Sequence, residues 1–142
     1  MIRIPKTRSK YHAKPTMIDG IKFPSHKEAR YYLQLKQLQK AGEVIGIECQ
    51  PAFELQPAYQ KCCGRVWWGN LLNKSAPCGT CDKKIPITAA RKYVADFRVR
   101  YRDGHEEIVD VKGMETPLFI LKKVIFEFKY PDLTLIVIGG KR

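Results

Sequence analysis

The stretch "YVADFRVRYRDGHEEIVDVKG" (93–113) restricts the chain more than any other. Apolar and polar residues alternate on both sides of Asp103-Gly104, the pattern of two strands folded back through a tight turn. Tyr93, Ala95, Phe97, Val99 and Tyr101 share one face, and Val94, Asp96, Arg98 and Arg100 the other. Downstream, Val109 and Val111 alternate with Ile108, Asp110 and Lys112. A two-residue turn would pair Arg102 with His105 and leave Asp96 across from Val111. A three-residue loop, Arg102-Asp103-Gly104, pairs Tyr101 with His105 and sets Asp96 across from Asp110, with Val94 across from Lys112. The second register gathers Phe97, Val99, Val109 and Val111 on one apolar face. It also puts Gly104 where such a loop needs a left-handed residue. Patterning therefore favours bringing together two carboxylates that repel each other. A divalent cation removes that penalty, and Mg²⁺ is held by one or two carboxylates plus waters and phosphate oxygens. Lys112 adds a charge able to orient or deprotonate an attacking water, or to steady a pentacovalent phosphate.

The flanking sequence supplies the rest of a domain. "IDGIKF" (18–23) reads as a short hairpin around Asp19-Gly20. "SHKEARYYLQLKQLQKAG" reads as a helix: Ser25 caps it, Glu28 completes a capping box, and Gly42 stops it. Ala29, Tyr32, Leu33, Leu35 and Leu38 form its apolar side. Residues 44–57 suggest one or two strands interrupted by Pro51. "TPLFILKKVIFEFKYPD" (116–132) is a second helix, capped by Thr116, with Pro117 at its first position and Pro131 at its end. Its apolar content predicts a mostly buried helix. "LTLIVI" (133–138) is a near-continuous apolar strand, expected inside a sheet covered on both faces. The order of elements implies an α/β (α+β) fold with a mixed sheet flanked by helices.

Charge narrows the partners. The 142 residues carry 26 Lys+Arg against 14 Asp+Glu, a net +12 with a pI near 9.6. Such an excess points to a polyanion, with nucleic acid ahead of an anionic membrane surface. Residues 1–16 form a basic arm, in which Lys6, Arg8, Lys10 and Lys14 could follow a phosphate backbone. Arg98 and Arg100, on the face of the aspartates, and Lys122, on the second helix, are further candidate contacts, although a solvated stripe accounts equally for Lys122. No apolar run is long enough for a bilayer and no secretory signal is visible, so a cytoplasmic protein is expected. Its five cysteines then read as thiols or metal ligands.

Residues 58–92 interrupt the pattern like an insertion between two strands. Cys78 and Cys81 form a CxxC pair, the usual half of a structural zinc site. The other half is the adjacent pair Cys62 and Cys63, so a four-cysteine Zn²⁺ ribbon is expected, with a redox pair or free thiols as the alternatives. Trp67 and Trp68 could stack on unpaired bases or pack inward. Cys49 is expected to be buried.

An aspartate followed by "DVK" across a hairpin resembles the PD-(D/E)XK nuclease superfamily. "KYHAKPTMIDGIKFPSHKEARYY", "QPAFEL", "YVADF" and "VDVKGMET" together resemble a family of small, mostly phage-borne proteins of that superfamily, over nearly the whole chain except the cysteine insertion. Ala95 stands where the family motif has its proline. The resemblance implies a restriction-endonuclease-like αβββαβ core in residues 17–142. It implies Asp96, Asp110, Glu28 and the Val111 backbone carbonyl as ligands of Mg²⁺ (or Mn²⁺), with Lys112 as the catalytic lysine. It further implies a homodimeric endonuclease acting on DNA, of the Holliday-junction resolvase type, working in the host cytoplasm if phage-encoded. The competing reading is a DNA-binding module with a zinc ribbon on a degenerate nuclease fold. An RNA-directed nuclease is also compatible with the composition.

Overall fold

The structure, a computed structural model, describes residues 15–139. In chain order its elements are β1 (Thr16–Ile18), β2 (Ile21–Phe23), α1 (His26–Lys40), β3 (Val44–Cys49), β4 (Ala52–Gln56), β5 (Tyr59–Cys62), β6 (Arg65–Trp68), β7 (Arg91–Val94), β8 (Phe97–Tyr101), β9 (Glu106–Val111), α2 (Pro117–Lys129) and β10 (Thr134–Ile138). Two compact units divide them. One holds the residues up to Ile47 together with Val99–His105; the other holds Glu48–Arg98 and the residues from Glu106 onward.

In the first unit, β1 and β2 pair antiparallel through Asp19-Gly20, both at positive φ (51° and 76°), as a type I′ turn requires. Ser25 caps α1 and pairs with Glu28: Ser25 Oγ accepts from the Glu28 N–H at 3.3 Å and donates to Glu28 Oε1 at 2.7 Å. α1 buries Glu28, Ala29, Tyr32 and Leu35. Leu33, expected on that side, is exposed because it falls out of phase with them. Tyr32 packs its ring 5.0 Å from that of Phe23 and donates its O–H to Asp19 Oδ2 at 3.2 Å, tying helix to hairpin. Gly42 leaves the helix at φ 80°. At the tip between β8 and β9, the Tyr101 N–H donates to the His105 carbonyl at 3.0 Å and Gly104 adopts φ 93°. This is the three-residue loop that the patterning selects. Arg100 lies over Gly46: a Cβ at Gly46 would come 2.9 Å from Arg100 Nε.

In the second unit, β9 lies between β10 and the first residues of β8, Phe97–Arg98. β10 runs parallel to β9, with Val137 beside Asp110 and Ile138 beside Val111. Together with the β8–β9 hairpin this makes the sheet mixed. β4 pairs antiparallel with β7, Phe53 beside Tyr93. The alternation of residues 93–101 predicts one strand, but the structure breaks it at Ala95–Asp96 into β7 and β8, which lie in different sheets. β3 and β4 break at the same level. The Gln50 N–H donates to the Asp96 carbonyl at 2.8 Å, and the Ala95 N–H to the Pro51 carbonyl at 3.1 Å. Pro51 has no N–H for a ladder, so both chains change sheets there together.

Phe53, Tyr93, Ala95, Ile108, Phe119 and Phe126 form a core cluster, joined by Tyr130, Leu133 and Leu135. Phe126 is fully buried, with ring centroids of Phe53, Tyr130 and Tyr93 at 4.9, 5.2 and 5.4 Å. Truncating such a ring to alanine costs about 3–5 kcal/mol. Two expectations fail here. α2 buries only Phe119 and Phe126, while Leu118, Leu121, Val124, Ile125 and Phe128 are exposed. The charged residues do not mark the exposed side, because Lys122 and Lys123 lie three or four positions from both Phe119 and Phe126 and share their side of the helix. β10 is an edge strand and only partly buried, because α2 and the core cover it incompletely. No helix among the described residues is long and apolar enough to cross a membrane.

Candidate metal and phosphate site

β9 is an interior strand, and Ile108, Val109 and Asp110 are each fully buried. The face carrying Asp110 and Lys112 is therefore not the solvated side of an edge strand. Asp110 Oδ2 accepts the Tyr93 O–H at 2.6 Å. Oδ1 is approached by Lys112 Nζ at 2.8 Å, but without the alignment of a hydrogen bond, so among the described residues it accepts none. The Lys112 ammonium is thus its one close cation among the described residues, and the oxygen retains lone pairs that a metal ion could share. Burial, and then the neighbouring Asp110 and Asp96 carboxylates, push the Tyr93 hydroxyl well above its usual pKa, so it stays a donor to Asp110.

Lys112 has its Nζ 5.3 Å from the centroid of the Phe119 ring. Phe119 is in turn set by the start of α2, where its N–H donates to Thr116 Oγ1 at 3.2 Å. The N-cap of α2 thus fixes the ring against which the lysine rests.

Asp96 occupies the joint between β7 and β8. Its N–H donates to the Val109 carbonyl at 3.0 Å, one residue out of step with the Tyr101–His105 pairing, as at a β-bulge. Its carbonyl accepts from Gln50, and its Oδ2 accepts the Val111 N–H at 2.6 Å. The bulge turns the expected direct opposition of Asp96 and Asp110 into a bend, and the Asp96 carboxylate bonds beside Asp110 at the Val111 peptide. Asp96, Asp110, Lys112 and the Val111 backbone are thus brought together. Glu28 lies in the first unit, with Ser25 Oγ on its carboxylate.

The expected nucleic-acid contacts divide three ways. Lys6, Arg8, Lys10 and Lys14 lie outside the described residues. Arg98 sends both Nε (3.0 Å) and Nη2 (2.7 Å) to Glu106 Oε2, so it is engaged within the hairpin. Arg100 rests over Gly46, and Lys122 is half-buried on α2. Tyr93 is the site residue that the alternation hides, since it shares the parity of the apolar positions.

The insertion holds the second centre. β5 and β6 pair from Tyr59–Trp68 to Cys62–Arg65, leaving Cys63-Gly64 as a two-residue turn with both φ positive (49° and 76°). That turn lets adjacent cysteines reach one point. The Sγ atoms of Cys62, Cys63, Cys78 and Cys81 all lie within 4.8 Å of one another, with Cys62–Cys81 at 3.4 Å and Cys62–Cys63 at 3.7 Å. Tetrahedral Zn–S bonds of about 2.3 Å put sulfurs roughly 3.8 Å apart, so this donor set fits Zn²⁺. Main-chain N–H groups of Thr80 and Cys81 lower the Cys78 thiol to about 6. Hydrogen bonds from its cysteine neighbours, Cys81 first, raise Cys63 to about 12. Without a cation, four thiols this close cannot all ionise; a metal ion removes that conflict. Buried Gln60 braces the hairpin, donating to the Asn73 and Ile85 carbonyls at 2.9 and 2.8 Å and accepting the Asn73 N–H at 2.9 Å. Cys49 is only half-buried, and burial followed by Glu48 raises its thiol.

Residues 8–141 match the family model described as "Protein of unknown function (DUF1064)". The chain belongs to this family. The matched span includes Asp96, Asp110, Lys112 and the four cysteines. No curated protein and no solved structure matches the chain.

Proposed function

We propose that this DUF1064 protein is a divalent-metal-dependent DNA endonuclease with a restriction-endonuclease-like core and a structural zinc element. The observation that carries the reading is the buried Asp110 carboxylate, whose Oδ1 accepts no hydrogen bond while Lys112 stands 2.8 Å away. Oxygen donors from Asp110 and Asp96, with the Val111 carbonyl, suit Mg²⁺ or Mn²⁺. When bound, the ion supplies Lewis-acid stabilisation of phosphoryl oxygens and makes water a better nucleophile. The protein's own groups do the rest. The Tyr93 O–H holds Oδ2 and leaves Oδ1 to the cation. Lys112, steadied on Phe119, sets a fixed positive charge where negative charge grows on phosphorus. Water oxygen bonds to phosphorus, the P–O ester bond breaks, and the proton released by the water ends on the leaving oxygen. The element order helix, three strands, helix, strand in α1, β3, β8, β9, α2 and β10 supports the core assignment.

Branched DNA is the preferred substrate in this reading, cut by a homodimer in the cytoplasm. Leu118, Leu121, Ile125 and Phe128 are exposed at spacings of three and four along α2, the seam on which a second copy of α2 can pack. The deciding experiment offers four-way junction, flap and linear duplex DNA to the wild type and to Asp110→Ala, with Mg²⁺ or Mn²⁺. Cleavage by the wild type alone supports the nuclease. Equal cutting of duplex and junction removes the preference for branches, and no cutting leaves a DNA-binding module.

A further inference from the structure

The β5–β6 hairpin has two unlike faces. Register puts Gln60 beside Trp67 and Cys62 beside Arg65 on one of them. There Gln60 is buried by its three bonds, and Trp67 lines a cavity with Gln60, Cys78 and Ile85. The opposite face carries the pairs Tyr59–Trp68 and Lys61–Val66. Trp68 is 57% exposed and Val66 48%, and both line an open concavity of about 330 Å³ with Tyr59, Pro57 and Gln56. The sequence treats the two tryptophans alike; the register separates them into one that packs and one that is presented.

The presented face is rigid. Tyr59 exchanges both main-chain hydrogen bonds with Thr88, at 3.0 and 2.7 Å, the cysteine cluster fixes the turn, and Gln60 fixes the back. Two aromatic rings held side by side lose little freedom on receiving a flat partner. The insertion is cationic, with seven Lys+Arg in residues 58–92 against a single acid, Asp82, and Lys61 shares the presented face with Tyr59, Val66 and Trp68. Aromatic rings on a fixed hairpin beside positive charge suit a polyanion with exposed π-faces. Duplex DNA hides its base faces, whereas a displaced or unpaired strand offers them.

We infer that the outer face of β5–β6, with Trp68 and Tyr59 as the stacking rings and Lys61 beside them, binds the unpaired bases of a DNA strand. This deepens the nuclease reading, supplying the contact that would distinguish branched from continuous duplex.

The test is fluorescence anisotropy of a labelled dT oligomer and of a duplex on the zinc-loaded full chain, without added Mg²⁺, so that binding is read apart from cleavage. Trp68→Ala should weaken dT binding roughly five- to a hundredfold. Duplex affinity should change less than about twofold, and Trp68→Phe should keep most of the dT affinity. Val66→Asp, an exposed change on the same face, should also weaken dT binding, and zinc content reports whether each hairpin remains assembled. Equal losses on duplex and dT, unchanged dT binding in zinc-replete Trp68→Ala and Val66→Asp, or binding of an rU oligomer but not dT overturns the inference. A wild type that binds dT through Trp68 and cuts no DNA leaves this inference standing and sinks the nuclease.

Discussion

Asp110→Asn separates a metal-binding carboxylate from a structural one. Asparagine retains an acceptor for the Tyr93 O–H, now at 2.6 Å from Oδ2, and removes the charge. The lost partner is Lys112, whose side chain is 34% exposed and can turn to water, so its loss costs at most about 1 kcal/mol. Against this, a fully buried carboxylate with one unaligned partner carries a desolvation penalty of several kcal/mol that the pair offsets poorly. Without Mg²⁺ the variant should therefore be as stable as the wild type or more stable by ~1–2 kcal/mol, about 3–6 °C in melting temperature for a chain of this size. Losing one cation ligand removes several kcal/mol of transition-state stabilisation, so cleavage should fall about a thousandfold or more. Thermal melts with and without Mg²⁺, paired with a cleavage assay, read both. Mg²⁺ should raise the wild-type midpoint and leave the variant unmoved. Destabilisation by ~3–5 kcal/mol, the cost of breaking a structural buried pair, or undiminished cleavage would refute the reasoning.

Metal analysis should find one zinc per chain, and Cys78→Ser should lose it, exposing the insertion to protease while the rest of the second unit stays protected. Gln60→Leu strands the main-chain groups of Asn73 and Ile85, and should lower stability by about 2–4 kcal/mol in urea unfolding. Leu121→Glu with Ile125→Lys should leave the melting temperature nearly unchanged and shift sedimentation to a monomer. The His105 main-chain N–H, with the ring of His105, holds the Asp103 carboxyl below the usual carboxylate range. Its contribution is then present above that range and lost as pH falls through the folded value, so Asp103→Asn should flatten the acid limb of the stability profile.

Elements governed by neighbouring residues were legible in the sequence. The Ser25 cap with its partner Glu28, the Asp19-Gly20 turn and the loop ending at Gly104 depend on contacts within four positions, and each stands as read. The break at Ala95–Asp96 was hidden because alternation resumes on its far side; the partner that causes it, Gln50–Pro51, lies over forty residues away. In α2 the charged pair Lys122 and Lys123 shares the side of Phe119 and Phe126, and "LTLIVI" is apolar at every position but Thr134, so each shows that it touches a core and conceals which surface does. Asp96 and Asp110 were singled out by register together with the resemblance of "DVK", and the bulge at Asp96 shifts the expected opposition by one residue. Tyr93 was not singled out, because a hydroxyl that reaches a buried carboxylate looks, in a strand pattern, like one more ring.

Asp96 ties architecture to the proposed chemistry. Its N–H and carboxylate both hold β9, at Val109 and Val111, and its carbonyl holds Gln50, at the place where two strands change sheets. Among the described residues the Lys112 side chain makes an ion pair with the fully buried Asp110 carboxylate and a ring contact, so losing Lys112 alone strands that charge. Relatives that lack the proposed chemistry should therefore lose Asp110 and Lys112 together and keep Asp96 for the sake of the joint. If the proposed chemistry holds, an intact Asp96 across the family would report inheritance of the fold, and an intact Asp110–Lys112 pair selection for activity.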